Sequence, residues 1–131
     1  MILDSSAILA ILFHEPCSER LKAALANAGS LFIGAPTLAE AKIVVGRRAG
    51  FLPGMVTSFL HALQVEVIPF GEQHSFEAHR AYERFGKGRH PAALNFGDCL
   101  CYAVAKLADD TLLCVGDDFR RTDLRLAEYG R

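Results

Sequence analysis

No stretch of this chain approaches the ~20 consecutive apolar residues that a membrane-spanning helix needs. The apolar run at residues 7–13 has no basic residue ahead of it, has Asp4 where a secretion leader would be positive, and precedes no small-residue cleavage site. A basic excess is missing too: 14 Lys and Arg stand against 15 Asp and Glu, a formal net charge of −1. Indiscriminate coating of nucleic acid is therefore excluded, and any such contact must come from a local patch. Zinc is equally unsupported. The cysteines (Cys17, Cys99, Cys101 and Cys114) form no C-x2-C pair, no H-E-x-x-H occurs, and His14 and His61 stand alone. Buried free thiols in a reducing cytosol are expected, and with them a cytoplasmic location. Repeats, low-complexity segments and linkers are absent as well.

What is present is a chain of 131 residues, 51% of them hydrophobic. That length makes one domain, residues 1–131, able to bury roughly two-thirds of its unfolded surface, with apolar surface left over for a partner. Short apolar runs at 1–4, 30–34, 65–69 and 111–115 read as strands. Between them lie helical patterns. Ser5 and Ser6 are placed to cap a helix over 7–13, and Pro16 to open one reaching residue 28. Further helices are expected over 36–49 and 54–63, and over 72–85 with Phe76 and Tyr82 as anchors. The strongest helical pattern, 95–108, has Leu100, Val104, Leu107 and Ala108 on one stripe. Gly116 turns the chain, and a short closing helix is expected over 117–126. Strands that are continuously apolar and alternate with helices predict an α/β fold: a three-layer α/β/α sandwich around a central parallel sheet.

In such a sheet ligands bind at the carboxyl ends of the strands. Asp4 ends the first strand, and Asp117 and Asp118 follow the last, so both strands deliver carboxylates to one edge. Asp98 lies in the first turn of the long helix, where negative charge is favourable in any case. Glu40 is followed by Ile43, Val44 and Arg47, and a carboxylate among aliphatic neighbours is costly to bury without a compensating cation. Carboxylates gathered at one edge repel each other and would partly protonate unless a divalent cation resolves the conflict. Mg2+ takes hard oxygen ligands, binds one or two carboxylates directly and keeps several waters. It can activate water for phosphodiester hydrolysis. Ser5 and Ser6 have no histidine or lysine placed to activate them, so covalent catalysis is not expected.

The order and spacing of Ile2-Leu-Asp4-Ser-Ser6, Leu38-Ala-Glu40, Leu94-Asn95-Phe-Gly-Asp98 and Leu112-Leu-Cys-Val-Gly-Asp117-Asp118-Phe119 resemble those of PIN-domain ribonucleases. Within that family the chain is similar to the VapC-type toxins of type II toxin–antitoxin pairs. The resemblance covers essentially the whole chain. It implies a Mg2+-dependent endoribonuclease, with Mn2+ able to substitute, whose centre is Asp4, Glu40, Asp98 and a fourth acid. Asp4 and Asp98 would hold the metal, and Ser6 and Asn95 would support them. It also implies a homodimer and an inhibiting antitoxin protein. One position departs from the pattern: the family's acid three residues before the Phe is Gly116 here. The fourth acid is then Asp117 or Asp118, or is weaker than usual; alignment on Phe119 favours Asp118, with Asp117 as helix cap or outer partner.

The RNA contact is expected on the glycine-rich loop 86–91, through Lys87 and Arg89. Arg80, Arg84, Lys87 and Arg89 face the single acid Glu83, and such a patch can neutralise phosphates without reading sequence. Arg47, Arg48, Arg120 and Arg121 are secondary candidates. Three other classes compete. A Mg2+-binding phosphate-receiver domain would want an early acidic pair and a Lys closing a later strand, and neither is present. An aspartate-nucleophile phosphatase would want Asp-x-Asp, but residue 6 is serine. A catalytically weak or inactive fold used only to bind RNA stays open because of Gly116.

Overall fold

The computed structural model describes residues 1–51 and 54–130. Four parallel strands, β1 (Ile2–Leu3), β2 (Phe32–Gly34), β3 (Glu66–Ile68) and β4 (Leu112–Leu113), form one sheet in the order β3-β2-β1-β4. Around it pack α1 (Ser5–Leu12), α2 (Ser18–Asn27), α3 (Ala35–Ala49), α4 (Met55–Ala62), α5 (Glu72–Phe85) and α6 (Phe96–Ala108). Successive side chains of a strand point to opposite faces, and each face has its own core. Leu3, Ile33 and Leu113 pack with α1 to α4; Ile2, Leu112 and Cys114 pack with α5 and α6. The three-layer sandwich follows from that alternation. Because both faces are covered, the inner strands are apolar throughout.

The register Ile2↔Phe32, Ile2↔Leu112 and Leu3↔Leu113 makes β1 a central strand. From β1 the chain steps one way to β2 and β3, then returns on the other side of β1 as β4. The strand order therefore reverses beside β1, and the crevice at its carboxyl end is where a ligand is expected.

Several expectations need correction. Asp4, not Ser5 or Ser6, caps α1, its carboxylate accepting from the Ser6 amide, so that helix begins at Ser5. On α5 the anchors are Ala78, Ala81 and Phe85; Phe76 and Tyr82 are exposed. On α6 Val104 is buried, but Leu107 and Ala108 face outward, and Cys99, Cys101, Tyr102, Ala103 and Ala105 line the core instead. β3 is an edge strand with Glu66 and Val67 exposed. Its charge discourages pairing with a further strand. The closing helix shrinks to one 3-10 turn, Asp118–Arg121. The Thr122 hydroxyl donates to the Phe119 carbonyl and accepts from the Leu124 amide, which ends the turn. Arg125 to Ala127 then run along β4: the Leu112 amide donates to the Arg125 carbonyl, and the Ala127 amide to the Leu112 carbonyl. Asp123 ties this segment down, accepting from the buried Tyr102 hydroxyl at 2.7 Å and pairing with Lys106 at 2.9 Å and Arg84 at 3.5 Å. All four cysteines are free thiols, three of them buried.

Candidate active site

The four acids come from four elements that meet at the switch point. Asp4 leaves β1, and its Oδ2 accepts from the Ser6 amide at 3.2 Å and from the Ser6 hydroxyl at 2.5 Å. The same hydroxyl accepts from the Val115 amide at 2.9 Å. Ser6 thus links the Asp4 carboxylate to the segment that leads through Gly116 to Asp117 and Asp118. Asp4 itself is buried beside the Cys101 thiol, which also contacts Thr37. Burial, and then the facing Asp4 carboxylate, push the Cys101 thiol well above its ordinary range.

Glu40 projects from α3, and the Ser5 hydroxyl donates to its Oε1 at 2.7 Å. Its Oε2 lies against the start of α6, so close that a Cβ on Gly97 would stand 2.6 Å from it. A methyl group there would have to push the Glu40 carboxylate aside. Arg47 does not supply the compensating cation: no Glu40–Arg47 pair is among the salt bridges of the described residues.

Asn95 and Asp98 form a reciprocal capping box at the start of α6. The Asp98 amide donates to Asn95 Oδ1 at 2.8 Å, and the Asn95 amide donates to Asp98 Oδ2 at 3.0 Å. That contact fixes where the Asp98 carboxylate points. Burial pushes the Asp98 carboxyl up to about 6, against the pull of the Asn95 amide, and repulsion from Asp4, Asp118 and Glu40 adds to it. The three acids that repel Asp98 are the other members of the set. Asp117 is not among them. Its side chain, 82% exposed, pairs with Arg120 at 3.2 Å and makes no capping hydrogen bond, contrary to the cap expected of it. Asp118 follows it on the first residue of the 3-10 turn, and Phe119 beneath is buried in the core.

Among the described residues none of Asp4, Glu40, Asp98 and Asp118 has a basic partner, whereas Asp109, Asp110, Asp117 and Asp123 are all in ion pairs. Four unpaired carboxylates thus gather at the switch point. Among the described residues no three acid, His or Cys side chains stand close enough together to hold a metal ion between them. Hard carboxylate oxygens in an open, mutually repelling set suit a cation that binds one or two of them and keeps its water, as Mg2+ does. The described histidines take no part. His74 Nδ1 accepts from the Gly71 amide and His90 Nδ1 from the Ala92 amide.

Loop 86–91 is pinned rather than slack. The Leu94 amide donates to the Phe85 carbonyl and the Lys87 amide to the Leu94 carbonyl, leading straight into Asn95. Lys87 and Arg89 are exposed, the Arg89 guanidinium donating to the Glu83 carbonyl at 3.2 Å. Arg80 pairs with Glu77 and Arg84 with Asp123, so those two are already engaged. Of the secondary candidates, Arg48 lies over the Phe13 ring, Arg120 pairs with Asp117 and Arg121 donates to the Pro91 carbonyl. Arg47 lines a pocket together with Glu40. Sequence reasoning assigned Ser5 a capping role and Gly97 no role; their contacts with Glu40 join elements far apart in the chain. The one available signal was a glycine placed inside an otherwise strong helix start.

The family model for the PIN domain matches residues 1–124. Ribonuclease VapC36 of Mycobacterium tuberculosis is 44% identical over 126 residues, spanning 95% of this chain and 91% of that protein. Ribonuclease VapC of Mycolicibacterium smegmatis is 38% identical over 125 residues, spanning 95% and 97%. Among solved structures, Mycobacterium tuberculosis VapC20, described as a sarcin–ricin loop cleaving toxin, superposes with a TM-score of 0.75 at 17% identity over 94% of this chain and 95% of that one. A toxin–antitoxin complex from Klebsiella pneumoniae gives a TM-score of 0.68 at 16% identity over 93% and 92%. With a family model over most of its length and close relatives along nearly all of it, this chain belongs to the PIN-domain family and, within it, to the VapC ribonucleases.

Proposed function

We propose that this chain is a Mg2+-dependent endoribonuclease and acts in the cytoplasm as the toxin of a toxin–antitoxin pair. The observation that carries the reading is the set of four acids without a basic partner at the switch point, on a fold shared with VapC proteins. Asp4 and Asp98 would hold Mg2+, or Mn2+ in its place, and Asp118 would complete the set from the other side. The bound ion supplies charge neutralisation and a more acidic water for phosphodiester hydrolysis. Glu40, held through Oε1 by Ser5, accepts the proton of the attacking water at Oε2. Ser6 and Asn95 orient Asp4 and Asp98, and Asp117 stays outside the centre. Lys87 and Arg89 neutralise RNA phosphates beside the start of α6.

The antitoxin is proposed to place an Arg or Lys among the acids, where its charge stands in for the metal's. Its apolar residues would lie along α3 and α4, over 36–64, where Phe51 is 75% exposed beside a pocket lined by Val45, Met55 and Val56. The apolar face of α5 around Phe76 and Tyr82 is proposed as the homodimer contact. Cleavage of RNA by the purified chain tests the reading. Activity should require Mg2+, vanish with a chelator and be abolished by Asp98→Asn; metal-independent cleavage, or none at all, overturns it.

A further inference from the structure

α3 and α6 meet along an antiparallel seam that small residues keep tight. At one end a Cβ on Gly34, the residue that caps α3, would stand 2.7 Å from Val104 Cγ2. At the other end Gly97 lies against Glu40 Oε2. Between these contacts Thr37 of α3 meets Cys101 of α6. Thr37 precedes Glu40 by three residues and Cys101 follows Asp98 by three, so each sits one turn along its helix from an acid of the set. Thr37 is buried, and Cys101 is only 2% exposed. The thiol is in hydrogen-bonding contact with the Asp4 carboxylate as well as with the Thr37 hydroxyl.

Resting on the ribonuclease reading, we propose that Cys101 is a positioning residue for Asp4: the Thr37 hydroxyl donates to Cys101 Sγ, and the thiol donates to the Asp4 carboxylate. Chemistry leaves one direction for this chain of bonds. An ionised carboxylate only accepts, so the proton between sulfur and Asp4 is the thiol's. The sulfur then offers lone pairs alone, and the Thr37 hydroxyl supplies the proton to them. Ser6 holds Asp4 Oδ2 from the α1 side. Cys101 holds the carboxylate from α6, the helix that also carries Asp98, so one helix refers both acids to each other. A thiol is a weak donor, so it sets direction while leaving the carboxylate's charge to a cation. A sulfur that only filled space would sit as well among apolar side chains; this one is set between two polar groups. Because it is sealed from solvent, bulk water does not stand in for it.

The test uses the full-length chain with Mn2+ as the probe and no RNA present. Isothermal titration calorimetry would give the Kd for Mn2+, referred to folded protein counted by circular dichroism. Cys101→Ala should raise that Kd by about 10- to 100-fold, the usual cost of losing a partner that orients a metal ligand. Cys101→Ser keeps a donor in place and should bind within about threefold of the wild type. Thr37→Val should weaken binding on its own but add nothing to Cys101→Ala, since both act through one thiol. Infrared spectra of the metal-free protein supply a second readout. The Cys101 S–H stretch, assigned by its loss in Cys101→Ser, should move to higher frequency in Asp4→Asn, whose acceptor is uncharged and weaker. Cys101→Ala binding Mn2+ as tightly as the wild type overturns the proposal, as does an S–H band that ignores Asp4→Asn. Cys101→Ser binding as weakly as Cys101→Ala overturns it in favour of packing alone, and a wild type that takes up no Mn2+ overturns it outright. The ribonuclease reading fails separately, if the wild type leaves RNA uncut in Mg2+.

Discussion

Asp98→Asn should make the metal-free protein more stable while removing its activity. The Asp98 carboxyl titrates near 6 in the folded chain against an ordinary 3.8, because it is partly buried and faces Asp4, Asp118 and Glu40. The folded chain therefore holds this proton more tightly than the unfolded chain does. Ionisation costs nothing below pH ~4, an increasing amount between ~4 and ~6, and the full amount above that. At full strength the shift corresponds to about 3 kcal/mol. Asp98 keeps substantial solvent contact, so screening leaves about 1–2 kcal/mol. Asparagine cannot ionise, yet its carboxamide oxygen can still accept from the Asn95 amide. In a chelator at pH 7.5 the variant should melt about 3–10 °C above the wild type, and at pH 4 the gap should close. Thermal melts followed by circular dichroism at both pH values, with RNA cleavage on the same preparations, provide the check. A variant that melts no higher at pH 7.5, or a gap that ignores pH, refutes the reasoning from carboxylate crowding.

Asp118→Asn should raise the Mg2+ concentration for half-maximal cleavage by about 10-fold or more. Asp117→Asn should cost less, since that side chain is turned to Arg120; a metal titration that reverses the order moves the fourth acid to Asp117. Gly97→Ala sets a methyl group 2.6 Å from Glu40 Oε2 and should cut kcat by about 10- to 100-fold with the fold retained. Unchanged kcat would mean that Glu40 can shift without consequence. Asp123→Ala deprives the buried Tyr102 hydroxyl of its partner and should destabilise the chain by about 1–3 kcal/mol in urea titrations, with activity per folded molecule within a few-fold.

Elements whose signals are local were legible in the sequence. The helices expected from residues 95 and 36 begin within one residue of those positions, and the capping box that starts α6 also carries Asp98, one of the four acids. The apolar runs of β1 and β4 gave a parallel sheet because both faces are covered by helices. Where a residue's partner is distant in the chain, the pattern misled. Phe76 and Tyr82 look like anchors on hydrophobicity alone, yet Ala78 and Ala81 face the core because α5 packs closely against α6 and small residues suit that contact. Asp4 takes the capping role expected of its neighbouring serines, which frees the Ser5 and Ser6 hydroxyls to reach Glu40 and the Val115 amide. The choice between Asp117 and Asp118 depended on how Gly116, at φ +98°, turns the chain after β4.

If the acids at the switch point work together on one metal-dependent reaction, the reaction cannot proceed without Asp4, the most buried of them. The most direct measurement is single-turnover RNA cleavage as a function of Mg2+ concentration, for the wild type and for Asp4→Asn at equal folded concentration. Saturable, chelator-sensitive cleavage by the wild type and none by Asp4→Asn at any Mg2+ concentration is the predicted result; the same rate and the same Mg2+ dependence in both proteins would contradict it.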